Sequence, residues 1–366
     1  MRRDVWRNFD YWLFGTVVIL ILIGIAMIRS AIAGSPGLAG IEQDQAVFAV
    51  LGLIGLLVLA AIDYRYWSAL TRVMYIAAVV ALIGIYIVGE AVFGSSRWFN
   101  LGGISIQPSE LAKIVMILVL ADYFARSKDK EHDLAWIGKS LLLTMGVVVW
   151  ILLQPNLSTS ILLIVIWAAM LWISGLKIKY ILTFGLVGTV LVLGSFQFWP
   201  EYQQERVFNF LTSGDEEDAR YGETYNVEQA LISIGSGGLT GQGYGQGTQI
   251  QLRFLKVRHT DFIFSVMAHE FGFVGTAVVI LMLIFVVLRC FYIARTASDM
   301  FGALIAYGFG FLIFFQMSVN IGVNLRLLPV TGLTLPFISY GGSSLFSLLV
   351  GIGLVESVAA HRYSTD

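Results

Sequence analysis

Cysteine is almost missing from this 366-residue sequence. Cys290 stands alone, which excludes an internal disulfide, and no CxxC or His/Cys cluster offers a structural metal site. Charge is scarce too: Asp, Glu, Lys and Arg make up 13% of residues, against about 25% in an average globular domain. Neither sign prevails. With 23 Lys and Arg against 24 Asp and Glu the net charge is −1, so nothing points to a nucleic-acid partner. No internal repeat stands out, and with it the inverted-repeat signature of many transporters is missing. What fills the chain is apolar: 57% of residues, with a mean hydropathy of +0.80. A water-soluble fold cannot hide so much apolar surface, so the chain reads as an all-α polytopic membrane bundle.

A helix crossing the hydrocarbon core needs roughly 20 apolar residues. The stretches 11–32, 45–62, 73–93, 157–175, 178–198, 263–289, 301–323 and 338–358 qualify. Two weaker ones, 109–125 and 134–153, are interrupted by Glu110, Lys113, Asp122 and Lys139. Charge placement calls for all of them. Ten spans with both termini cytoplasmic gather most Lys and Arg inside, leaving Arg29, Arg97 and Arg326 on short outer loops and helix ends. The basic start followed by Ala31-Ile32-Ala33 imitates a secretory signal. However, its apolar run exceeds a signal core of about 7–15 residues, so it is read as the first helix. Residues 1–366 then form one transmembrane domain, interrupted by a long outer loop at 199–262. Within that loop 213–218 is acidic, and Val227 to Ile234 has the spacing of a short amphipathic helix.

The glycine-rich run Gly235 to Gly247 lacks both the βαβ context of a dinucleotide site and the Gly-Lys-Ser/Thr of a P-loop. Two readings stand: backbone N–H groups approaching a phosphate or sugar, or a flexible turn-rich loop. Further on, Arg258-His259-Thr260-Asp261 puts a carboxylate where the outer loop meets the eighth span. An ionisable group there is a functional candidate; a plain helix N-terminal charge is the alternative. Arg253, Lys256 and Arg258 supply rim cations suited to an anionic head group. His259, Asp261, His269 and Glu270 do not have metalloprotease spacing, so no dedicated metal site is expected. Glu110 and Lys113 share one face of the fourth span, as a structural ion pair or a cavity-lining pair. Polar turns at 96–98, 107–109, 154–158 and 320–344 suggest broken or re-entrant helix ends around an outward-facing polar cavity.

Six stretches in register resemble the SEDS family of bacterial shape, elongation, division and sporulation proteins. They are Ser96-Arg97-Trp98, Gln107 to Lys113, Gln154-Pro155, Ile234 to Gly238, His259-Thr260-Asp261-Phe262 and Pro336 to Ser344. The resemblance covers almost the whole chain. Pro329-Val330-Thr331-Gly332 looks more like the elongation members and Gly332-Leu333-Thr334-Leu335 more like the division members; the elongation type is preferred. Two departures stand out. Asn156 follows Gln154-Pro155 where the family usually has Asp, and Arg326 stands where a small residue, often Gly, is common.

The resemblance implies a peptidoglycan glycosyltransferase that polymerises lipid II into β-1,4-linked glycan at the outer leaflet, with inversion. Asp261 matches the family's essential acid, and Glu110 and Lys113 match its paired charges. On that reading Asp261 is the catalytic base. Arg97, Trp98, Glu110, Lys113, Gln154, Lys256, Arg258, His259, Thr260, Ser339, Ser343 and Ser344 are the substrate-binding candidates. No protein metal ligand is assigned, and a Mg or Mn ion held partly by substrate phosphates stays open. A class B penicillin-binding protein is the expected partner, because no Ser-x-x-Lys with companion motifs appears in a suitable context. Two rival readings are a lipid II transporter and a scaffold that positions another cell-wall enzyme.

Overall fold

The computed structural model describes residues 2–88, 90–92, 95–101, 104–127, 133–176, 178–198, 201, 204, 207, 223–247, 255 and 257–362. The helices begin with α1 (Arg2–Asn8), α2 (Tyr11–Ile32), α3 (Ile41–Ala61) and α4 (Arg65–Val88). Strands β1 (Glu90–Val92), β2 (Ser95–Leu101) and β3 (Ile104–Ile106) come next. Then follow α5 (Pro108–Arg126), α6 (Leu134–Leu153), α7 (Leu157–Ile173), α8 (Ile178–Ser195) and α9 (Glu223–Gly237). The chain closes with α10 (Ile263–Thr296), α11 (Met300–Asn324) and α12 (Gly342–Ala360).

A helix occupies each apolar stretch read from the sequence, and α9 covers the amphipathic one. Seven of the described helices are long and apolar enough to cross a membrane. Four helix starts are set by side chains that satisfy free N–H groups. Asp10, Asp133 and Asp299 accept from Leu13, Trp136 and Gly302 at 3.1, 2.7 and 2.8 Å. Asn156 does the same for Thr159 at 3.3 Å. Asn and Asp cap about equally well, so the departure from Asp at 156 leaves this structural role intact.

Helix α12 lies at the centre, with 89% of its apolar window buried against 17% for α4, and its most extensive contact is with α3. The weak hydropathy of α5 has the same cause. Thirteen of its 19 residues are buried in protein, so it need not be apolar towards lipid.

Two features depart from the sequence reading. Residues 96–98, read as a turn, lie in β2 of a three-stranded antiparallel sheet, with Glu90 opposite Trp98 and Phe99 opposite Ile106. The bundle is thus not purely helical.

The stretch read as one eighth span is broken at Gly272 (φ 66°, ψ −167°). The glycine-rich run splices that break. Gln242 and Gly243 donate to the carbonyls of His269 and Glu270 at 3.0 Å each, while Phe273 and Val274 donate to Gly238 and Leu239 at 2.9 and 3.1 Å. A Cβ at Gly241 would stand 2.0 Å from the Glu270 carbonyl oxygen, so only glycine allows the approach. From Gly238 to Gly243 the run therefore meets a helix backbone, and this part is no free loop. Glu270 lies seven residues into α10, so this part of the 199–262 loop re-enters to about 10 Å below the helix start. Irregular backbone at such depth is tolerated because protein buries and satisfies it.

Candidate active site

The turn 257–262 leads into α10 with no side-chain cap of its own on Phe262. Helix α11 supplies one instead. Asn324 Oδ1 accepts from Ser265 N–H at 3.2 Å and from Ser265 Oγ at 2.6 Å. The Asn324 amide donates to the Asp261 carbonyl at 2.9 Å, and Asn320, one turn earlier, donates to the same oxygen at 3.1 Å. Two neighbouring carbonyls are also taken. Ser339 Oγ donates to Thr260 at 2.7 Å, and Tyr340 N–H donates to His259 at 2.9 Å. The backbone of His259-Thr260-Asp261 is thereby locked at three successive carbonyls, and partly exposed Asp261 is held at the head of α10.

The clamp is itself held from behind. Gln45 of α3, 1% exposed, donates to the Ser339 carbonyl at 3.2 Å and accepts from Gly341 N–H at 3.1 Å. Ser343 Oγ accepts from Gln107 N–H at 3.2 Å, which ties the same loop to the residue before Pro108. Ser344 and Thr334 hydroxyls meet at 3.1 Å. Below Pro108, Lys113 Nζ lies 2.7 Å from Glu110 Oε2, with the lysine 1% exposed. That contact is out of line for a hydrogen bond, and the ammonium has no hydrogen-bond acceptor among the described residues. Ser347 donates to the same Glu110 oxygen at 3.2 Å.

The His259 ring lies 5.8 Å from that of Tyr340, tilted by 50°. Burial, reinforced by the Arg258 charge, pushes the imidazole below its ordinary 6.5. Burial and the Asp44 carboxylate push the Tyr340 hydroxyl up.

Other sequence candidates take different places. Arg258 is not a rim cation. It is 3% exposed; its guanidinium donates to the Ala31 carbonyl, to the Leu255 carbonyl at 3.2 Å and to Ser35 Oγ at 2.7 Å. A guanidinium so committed fastens the turn to the end of α2. Gln154, 2% exposed, donates to the Leu82 carbonyl at 3.0 Å and ties α6 to α4. Trp98, partly exposed, lies on β2 beside Arg97; Lys256 and Arg253 lie outside the described residues.

Asn320 and Asn324 fell within the polar stretch 320–344 without being singled out as site residues, and Gln45 was not among the sequence candidates. Their one signal is an amide inside an apolar helix, which must find partners when buried. His269 and Glu270, weighed as metal ligands, face Ser236 and Ser30 at the helix break. Among the described residues no three His, Cys, Asp or Glu side chains converge.

The comparisons agree with this architecture. The FtsW, RodA and SpoVE cell cycle protein family matches residues 10–364. The peptidoglycan glycosyltransferase MrdB of Escherichia coli K12 is 37% identical over 313 residues, covering 85% of this chain and 84% of that protein. A probable peptidoglycan glycosyltransferase FtsW of Hydrogenovibrio crunogenus is 35% identical over 359 residues, covering 95% and 91%. Among solved structures, the rod shape determining protein RodA of Thermus thermophilus superposes with a TM-score of 0.72 at 31% identity, over 98% of both chains. A chain from a peptidoglycan synthase complex that coordinates polymerization and crosslinking reaches 0.82 at 30% identity, over 98% and 99%. The overall fold is thus shared with these proteins, and this chain is a member of the FtsW/RodA/SpoVE family.

Proposed function

We infer that this chain is a peptidoglycan glycosyltransferase of the bacterial inner membrane, of the elongation type, and that it joins lipid II units into β-1,4 glycan. The observation that carries the reading is the backbone clamp on 259–261, which presents one carboxylate at the loop end of a membrane helix bundle. We read the bundle as ten spans with both termini cytoplasmic, which puts Asp261 at the outer leaflet.

The 4-hydroxyl of one sugar attacks the anomeric carbon of the next. The new C–O bond forms as the bond to the polyprenyl diphosphate breaks, and Asp261 takes the hydroxyl proton as general base. Displacement from the opposite face turns an α-linked donor into a β-linked product. The departing diphosphate needs countercharge, and the Lys113 ammonium is the buried cation suited to it. Among the described residues no cluster at Asp261 makes a metal cage; a Mg or Mn ion would take most of its oxygens from substrate. A class B penicillin-binding protein is the proposed partner, cross-linking the product.

The test uses the full chain in proteoliposomes with purified lipid II, with and without that partner and a chelator. Asp261→Asn should lower polymer formation by roughly 10²-fold or more while the melting temperature stays near that of the parent. Undiminished polymer would remove Asp261 from the chemistry. Movement of labelled lipid II between leaflets without polymer would favour the transporter reading.

A further inference from the structure

A cavity of about 770 Å³ opens at the end of the bundle away from Asp261, between α4, α5 and α6. Its acid, Asp122, lies twelve residues beyond Glu110 on α5, a rise of about 18 Å. This places it in the last turns of α5, four residues before the helix closes at Arg126.

The lining has two parts. At the rim stand Arg72, Arg126 and Lys139, with Asp122 and Asp133. Both acids are already engaged. Asp122 accepts from Arg126 Nε at 2.8 and 2.9 Å, and Asp133 accepts from Trp136 N–H at 2.7 Å as a helix cap. Arg72 and Lys139 are exposed, and neither has an ion-pair or hydrogen-bond partner among the described residues. The rim therefore keeps two uncommitted cations. One helical turn from Arg72, Lys139 and Asp122, Ile76, Leu143 and Val119 give an apolar wall along the helices, with Ile76 61% exposed. Cations at headgroup level above an apolar wall match a phosphate joined to an acyl chain, and basic pockets between membrane helices hold such groups. The volume lies within the range of small-ligand sites, roughly 300–1,000 Å³.

We propose that this cavity binds an anionic phospholipid of the leaflet opposite the Asp261 site, with its phosphate between Arg72 and Lys139 and an acyl chain along Ile76. A free phosphate ester shares the headgroup chemistry but has no use for the wall.

The test is native mass spectrometry of the full-length protein incubated with phosphatidylglycerol or phosphatidylethanolamine, with inorganic phosphate and glycerol 3-phosphate as soluble competitors. Phosphatidylglycerol should be retained preferentially. Arg72→Gln with Lys139→Gln should cut its retention roughly tenfold or more. Lys179→Gln with Arg295→Gln, at the same end but off the cavity, should leave it unchanged. Ile76→Trp fills the wall without touching charge and should also reduce retention, which keeps the test open if the double variant folds poorly. Parental retention in folded variants, or equal binding of both lipids, would overturn the proposal. Displacement by either soluble competitor at millimolar concentration would overturn it in favour of a free phosphate ester.

Discussion

Helix α5 carries an acid–base pair at each end, and the two pairs live in different physics. Glu110 and Lys113, three residues apart, are 10% and 1% exposed. Asp122 and Arg126, four apart, are 14% and 60% exposed. Water screens the second pair, and such contacts contribute at most about 1 kcal/mol. The first gives up hydration for one ion contact and the Ser347 hydroxyl, so removing one charged partner strands the other in protein. The surroundings follow suit. Near Glu110 and Asp261, neutral amides and hydroxyls fix backbone carbonyls. At the opposite end, ion pairs such as Arg289 with Asp10 at 2.5 Å and Arg65 with Asp299 at 3.2 Å join helix ends. An end built to position one carboxylate needs directional hydrogen bonds; an end that meets headgroups can use charge.

Four perturbations break or sharpen this contrast. The largest effect belongs to the splice. Gly241→Ala drives a methyl into the Glu270 carbonyl and should cost on the order of 4 kcal/mol, read as lost thermal stability in detergent. Gly245→Ala, at φ 70° with nothing within 4 Å of the added carbon, should cost only about 1 kcal/mol.

Next comes the comparison within α5. Lys113→Met should destabilise by about 3–5 kcal/mol, and adding Glu110→Gln should recover much of it. Arg126→Ala should cost less than about 1 kcal/mol.

Asn324→Ala removes the substitute cap on Ser265 and one donor to Asp261, for a loss of about 2 kcal/mol. If the clamp positions the aspartate, kcat for glycan synthesis should fall more than KM rises, and Asn320→Ala should act in the same direction.

The smallest effect is pH-dependent. The folded state holds His259 below its ordinary 6.5, so the unfolded chain binds the proton more readily. The contribution is complete above pH 6.5 and is lost as pH falls towards the folded value. His259→Gln should flatten that part of the melting-temperature profile relative to the parent.

Arg326 shows how a departure in sequence becomes intelligible in structure. It stands just past α11 with φ 56°, donating to Val323 at 3.0 Å while Leu327 donates to Gly322 at 2.7 Å. This is a Schellman close, where a left-handed residue is required and glycine is favoured. The small residue common in the family suits that conformation, which Arg326 adopts here.

Membrane class and helix positions were legible because each depends on local composition over a contiguous segment. What the glycine run, Arg258 and Gln154 do within the fold was not legible, for one common reason. Their partners are backbone groups on other elements, and sequence spacing carries no sign of them. The clamp joins Asn324 to Ser265 across 59 positions and Ser339 to Thr260 across 79. Hydropathy alone therefore determined that this chain lives among membrane helices, since burial in lipid is a property of segments. Which polar groups are offered to a ligand and which are spent on carbonyls was decided only by tertiary structure, because every buried backbone group must find a partner wherever the fold brings one.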